Sequence, residues 1–193
     1  LGSATLTQRK FYRITGGSTQ NKGVVPDVSL VNIYEGMDFG ERSMKNPLEW
    51  DTIRAAPYQP AGTYTPELLQ AINAASKQRQ ATNPQFAYLS ELNQIRNQED
   101  DKKQVKLDIN ERRGYRKALE ARTLAAENNR RKALGQAPYS TWTAYHAAQD
   151  AELEARSRMK QAERPKLAET EAFVIEAANV MLDALHRQLS KTP

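Results

Sequence analysis

The feature that most constrains this chain is a helix-start signal built around a proline, which occurs twice: Thr65-Pro66-Glu67 and Asn83-Pro84. Proline fixes φ near its helical value, and the N–H it lacks is one the first helical turn leaves unpaired anyway. The Thr or Asn before it offers an oxygen to the orphan amides of that turn. An acid at Glu67 suits the positive end of the helix dipole. Leu68, Leu69 and Ile72 begin an apolar stripe after the first signal, and Phe86, Leu89, Leu92 (or Asn93) and Ile95 keep helical spacing after the second. The charged run over 97–104 breaks this second helix.

The rest of the chain continues in helices. Val105, Leu107 and Ile109 alternate, which predicts a short strand. Asn110 then caps a helix with Glu111 in its first turn. That helix carries Tyr115, Ala118, Leu119, Ala126 and Leu134 and stops at Gly135, a favourable residue just past a helix end. Residues 136–143 form a linker around Pro138, and 144–163 are Ala- and charge-rich with a thin apolar face. A last helix starts near Pro165. Its stripe of Phe173, Val174, Ala177, Val180, Met181, Ala184, Leu185 and Leu189 has the spacing of an amphipathic helix.

The first third reads differently. Residues 3–15 alternate as a strand, with Leu6, Gln8, Lys10, Tyr12 and Ile14 on one side and Thr7, Arg9, Phe11 and Arg13 on the other. Neither face is cleanly apolar. Gly16-Gly17-Ser18 ends it in a turn. The run Val24 to Val31 is apolar, but Pro26 cannot donate to a ladder, so it is an edge strand or an extended segment. Two strands make no stable sheet alone, so this end is expected to belong to a larger sheet. Residues 32–65 are loop-like, and Trp50 and Tyr58 are expected to anchor them by burial. The fold class is therefore mainly α, a helical domain over 66–193 preceded by one or two strands and a long irregular strap over 1–65.

Composition narrows the function. With no cysteine, disulfides, thiolate metal sites and a cysteine nucleophile are excluded. No window reaches the roughly 18 consecutive apolar residues of a spanning helix, and Leu1-Gly2-Ser3-Ala4 carries no charged leader region. The chain is expected to start inside a longer protein. The net charge is +5, but 23 acids are mixed among 28 basic residues. Such mixing describes a solvated, salt-bridged face. Arg112, Arg113, Arg116, Lys117, Arg130, Arg131 and Lys132 could contact nucleic acid, yet at helical spacing they make no unbroken face, so no nucleic-acid partner is expected.

The search for chemistry returns little. His146 and His186 are far apart in sequence and belong to no HExxH pattern, so no metal site is expected. There is no GxSxG elbow, no Walker loop and no GxGxxG, and no cofactor is expected. Lys22, in Ser18-Thr19-Gln20-Asn21-Lys22-Gly23, is the best local candidate for a reactive group, since burial can turn a lysine into a general base. Without a serine to pair with, it reads as a solvated lysine in a turn.

The run "TLTQRKFYRITGGSTQNKGVVPDV", followed by "DFGERSMKNPLEWDTI", resembles a characteristic segment of the tail-specific proteases, or C-terminal processing peptidases. The family reads close to Ala-Leu-Pro-Trp-Asp where this chain has Pro47-Leu48-Glu49-Trp50-Asp51. The resemblance is strongest over 4–54 and continues collinearly through "VKLDINERR" and the final helix. It implies a serine nucleophile with a lysine general base, in G-x-x-S-A-x-E and F-G-K-G-T motifs. Neither motif occurs here, and Lys22-Gly23 belongs to a different turn, so no catalytic residue is assigned. The resemblance further implies a periplasmic location, an upstream protease core and PDZ-like domain as partners within one polypeptide, and a chain inactive by itself. In that arrangement residues 3–31 complete the core sheet, 32–65 strap over it and 66–193 support it. The alternative is a helical module that binds an adaptor or itself through its last stripe.

Overall fold

The computed structural model describes Gly2 and residues 9–37, 40–59, 64–159 and 168–189. Among them are five α-helices: α1 (Pro66–Thr82), α2 (Pro84–Asp100), α3 (Ile109–Ala133), α4 (Trp142–Arg158) and α5 (Ala168–Leu189). A single 3₁₀ turn, Glu41–Ser43, precedes them. The chain is mainly helical.

Both proline signals open helices where the residue pattern places them. Thr65 Oγ1 accepts from the Leu68 amide at 3.3 Å, and Asn83 Oδ1 accepts from the Gln85 amide at 2.8 Å. Each occupies an amide that the first turn cannot pair internally. The charged run does end α2, at Asp100. The alternation at Val105, Leu107 and Ile109 makes no strand. Residues 103–107 lie outside any regular element, and Ile109 opens α3. The cap is Asp108, whose Oδ1 accepts from both Asn110 and Glu111 amides at 2.9 Å, rather than Asn110. A carboxylate there also complements the helix dipole. Gly135, at φ +70, follows the end of α3 in the left-handed conformation that glycine adopts freely. The expected start of the last helix near Pro165 lies outside the described residues.

α1 lies against α2 and α5, α2 against α3 and α5, and α4 against α3. The core sits where α1, α2 and α5 meet. Ile72, Phe86 and Leu89 are at most 2% exposed, and each contributes about 1.5–3 kcal/mol by leaving water. Leu68, Ile72 and Ala184 cluster with Val28 and Val180. Phe86 meets Phe173 edge to face, with centroids 5.4 Å apart. An ion-pair network pins α1 to α5. Arg79 binds the buried Glu176 through two nitrogens at 2.8 and 3.0 Å and Asp183 through a third at 2.8 Å. The two acids hold the guanidinium charged, the Glu176 hydrogen bond being the larger cause.

The stripe of α5 is used in an unexpected sense. Its inward side carries Phe173, Glu176, Val180, Asp183 and Ala184, while Val174, Ile175, Met181, Leu182 and Leu185 are about half exposed or more. Arg79 holds the acids inward beside Phe173 and Val180, and those more exposed apolar side chains face out.

Before α1, the described residues contain two isolated bridges, Tyr12–Ser18 and Gly17–Thr52, and no ladder. Ile14 to Ser18 runs beside Asp51 to Ala56 through Ser18 N to Asp51 O, Ile53 N to Gly16 O and Ala56 N to Ile14 O, all at 2.9–3.0 Å. Gly16 has φ +86, and a Cβ there would lie 2.2 Å from the Ile53 oxygen, so only glycine fits. This gives the expected Gly-Gly-Ser turn a physical reason. Residues 3–8 of the expected first strand lie outside the described residues.

Candidate functional site

The most organised polar arrangement is a set of side chains on α1 and α2 that bind the backbone of residues 27–35. Asn73 Nδ2 donates to Asp27 O at 2.7 Å. Gln80 donates from Nε2 to Ser29 O at 3.2 Å and accepts from the Val31 amide at 2.9 Å. Asn93 Nδ2 donates to Asn32 O at 2.7 Å. Arg96 donates to Ile33 O and, at 2.6 Å, to Glu35 O. A side-chain amide presents both a donor and an acceptor, so Gln80 can pair with backbone much as a neighbouring strand would. Gln80 and Asn93 are buried, and the burial of Asn93 leaves Leu92 only partly covered. The segment is thus fixed by its main chain, with Val28 added to the apolar core.

A second corner forms around Trp50. Its indole N–H donates to Ser18 O at 2.8 Å, and Lys22 Nζ lies 3.8 Å from its ring centroid. Beside it Asp51 accepts from Tyr12 at 3.1 Å and pairs with Lys10 at 3.2 Å. Burial and the neighbouring Asp51 push the Tyr12 phenol up. Trp50 anchors by hydrogen bond and cation–π contact rather than by burial. At 40% and 45% exposure, Trp50 and Tyr58 correct the expectation that both are buried.

The sequence candidates do not converge. Lys22 is exposed, and its Nζ rests on the Trp50 ring. Ser18 is buried with its Oγ accepting from the Gln20 amide. His146 lies on α4 against Trp142, at 4.3 Å between centroids, and His186 in the last turn of α5, where a cation is favourable. No group of three or more His, Cys, Asp or Glu residues able to hold a metal occurs among the described residues. No helix among them is long and apolar enough to cross a membrane. The basic residues divide. Arg130 forks onto buried Glu127 at 2.7 and 2.9 Å, and Arg131 donates to Ala137 O and lies over Tyr139. Arg112, Arg113, Arg116 and Lys117 stay exposed.

Residues 34–186 match the family described as the C-terminal domain of tail specific protease. The chain belongs to that family. A relative named tail-specific protease, from Haemophilus influenzae, is 35% identical over 137 residues, covering 70% of this chain and 20% of the relative. The chain therefore spans about a fifth of the length of that relative. The matched region takes in the gripping side chains Asn73, Gln80, Asn93 and Arg96, with α1 to α4 and most of α5. Sequence reasoning missed these gripping residues. The available signal was Ser76, Gln80 and Asn93, polar residues at helical spacing inside otherwise apolar faces.

Proposed function

We propose that this chain is a non-catalytic helical domain of a periplasmic Ser-Lys tail-specific protease, which degrades or processes proteins from their C-termini. Its role is to hold the protease core and PDZ-like domain in position. The observation that carries this reading is the grip of α1 and α2 on the backbone of 27–35. Whatever precedes that segment is tied to the helical domain at a fixed point. Residues 1–65 then serve as terminal strands and strap of the core, and 66–193 as the helical support. Phe11, Ile14, Val24 and Val25, between 56% and 80% exposed, offer an apolar surface suited to further strands. The absence of the two catalytic motifs and the exposure of Lys22 argue that the chain alone is inert.

A peptidase assay with an unstructured substrate bearing an apolar C-terminus tests this. No turnover is expected. Turnover by the purified chain that Lys22→Ala abolishes overturns the reading.

The outward apolar face of α5 supports a second reading, in which the domain binds an adaptor or a second copy of itself. Sedimentation over a wide concentration range separates the two. A monomer throughout removes self-association.

A further inference from the structure

Between the end of α2 and the start of α3 the chain forms a cleft of about 740 Å³. Val105, Ile109, Tyr115 and Leu119 supply its apolar surface, and Arg112, Arg113 and Arg116 stand on its rim. Val105 is 69% exposed, and neighbouring Leu107 is 93% exposed. Among the described residues the main chain of 103–107 makes no hydrogen bond, and the three arginines have no carboxylate partner. The acids at the cleft are paired with lysines that also line it: Glu99 with Lys102 at 3.0 Å, and Glu111 with Lys106 at 3.7 Å. Lys102 also meets the Tyr115 hydroxyl and lies over its ring, so that side of the cleft is already neutralised.

Three independent features therefore meet at one place. The first is a segment whose residues alternate as a strand but which has no strand partner. Unpaired main-chain groups on such a segment are the template that strand addition uses. The second is an apolar lining of the kind that accepts alternate side chains of an added strand. The third is a row of guanidinium groups at the rim, the side chain best suited to forked carboxylate pairing. A nucleic acid would use the arginines but neither the apolar lining nor the unpaired amides.

We propose that this cleft binds an extended acidic peptide. The peptide pairs with the main chain of 103–107 as a strand, sets apolar side chains on Val105 and Ile109, and places its carboxylates on Arg112, Arg113 and Arg116. This goes beyond the supporting role proposed above and does not depend on it. A chain that binds no such peptide leaves that reading intact.

The test is fluorescence anisotropy with the purified chain and a labelled ten-residue peptide of alternating valine and aspartate. The expected result is saturable binding at least about tenfold tighter than for the valine–lysine counterpart, a difference of about 1.4 kcal/mol. Arg112→Glu with Arg116→Glu, both exposed positions, should weaken it about tenfold or more while circular dichroism stays unchanged. Methylating alternate peptide amides, which keeps every charge but removes main-chain donors, should weaken it by a similar factor. Three results overturn the proposal: equal affinity for the acidic and basic peptides, indifference to the charge-reversal pair, or indifference to amide methylation. A single-stranded oligonucleotide of equal charge that binds as tightly also overturns it, by assigning the rim to phosphates.

Discussion

Residues 9–58 and the helices α1, α2 and α5 solve the same problem in opposite ways. The helices bury Ile72, Phe86 and Leu89 to 2% exposure or less. The earlier region buries Ser18 and Gln20 and leaves Phe11 80% and Val25 67% exposed. Its order comes from main-chain pairing around Gly16 and from the helical side chains that grip 27–35, not from a core of its own. Hydrophobic burial is the dominant favourable term in folding. The comparison therefore teaches that stability resides in the helices, and that the earlier region is organised by attachment to them.

The largest expected effect is at the centre of the helical core. Leu89→Ala should cost about 2–5 kcal/mol in chemical denaturation, through lost burial and the cavity left behind, whereas Phe11→Ser should change stability by less than about 0.5 kcal/mol. Equal losses would break the comparison. Next comes the α1–α5 pin. Arg79→Ala strands Glu176, whose side chain is 4% exposed. Breaking a buried pair costs about 3–5 kcal/mol, and the 32% exposure of the Arg79 side chain reduces this to about 2–3 kcal/mol through solvent screening. The α5 amides should lose protection first in hydrogen exchange.

Gly16→Ala should cost about 1–3 kcal/mol locally, from backbone strain and collision with Ile53 O. Nuclear magnetic resonance should show shifts confined to 12–18 and 50–56, with the α1 and α2 signals unmoved. The smallest effect is a pH dependence at Tyr88. Burial pushes its phenol up, and the hydrogen bond with Tyr145 adds to this. An unfolded tyrosine ionises near pH 10, so the unfolded chain releases a proton that the folded chain keeps. This contribution is fully present below about pH 10 and falls as pH rises above it. Tyr88→Phe, though less stable at neutral pH by about 1 kcal/mol for the lost hydrogen bond, should show a shallower alkaline decline in melting temperature.

The helical half was legible because its signals are local. Thr65-Pro66 and Asn83-Pro84 carry both a cap and a fixed φ, and Gly135 a terminator, so neighbouring residues alone decide the boundaries. The strand pattern at 105–109 misled because alternation says how a strand would look, not whether a partner edge exists. Asp108 meanwhile offered the stronger cap for α3. The α5 stripe was legible as helix but only in part in orientation: Phe173, Val180 and Ala184 face the core, whereas Val174, Met181 and Leu185 do not. Arg79 lies about a hundred residues away, and it decides which side of α5 faces inward. The gripping amides were hidden for the same reason. Gln80 and Asn93 look like interruptions of an apolar face until the backbone of 29–32 is placed against them. The basic residues of α3 make no unbroken face in the sequence, and the structure divides them further, because Glu127 and Tyr139 claim Arg130 and Arg131.

Native-state hydrogen exchange on the whole chain tests the central claim most directly. Amides of α1 and α2 should exchange slowest, the Val31 amide held by Gln80 should be protected with them, and those of 9–25 should exchange orders of magnitude faster, through opening that leaves the helices intact. Uniform slow exchange across 9–25 and the helices would contradict the account, because it would mean the first region has a stable core of its own.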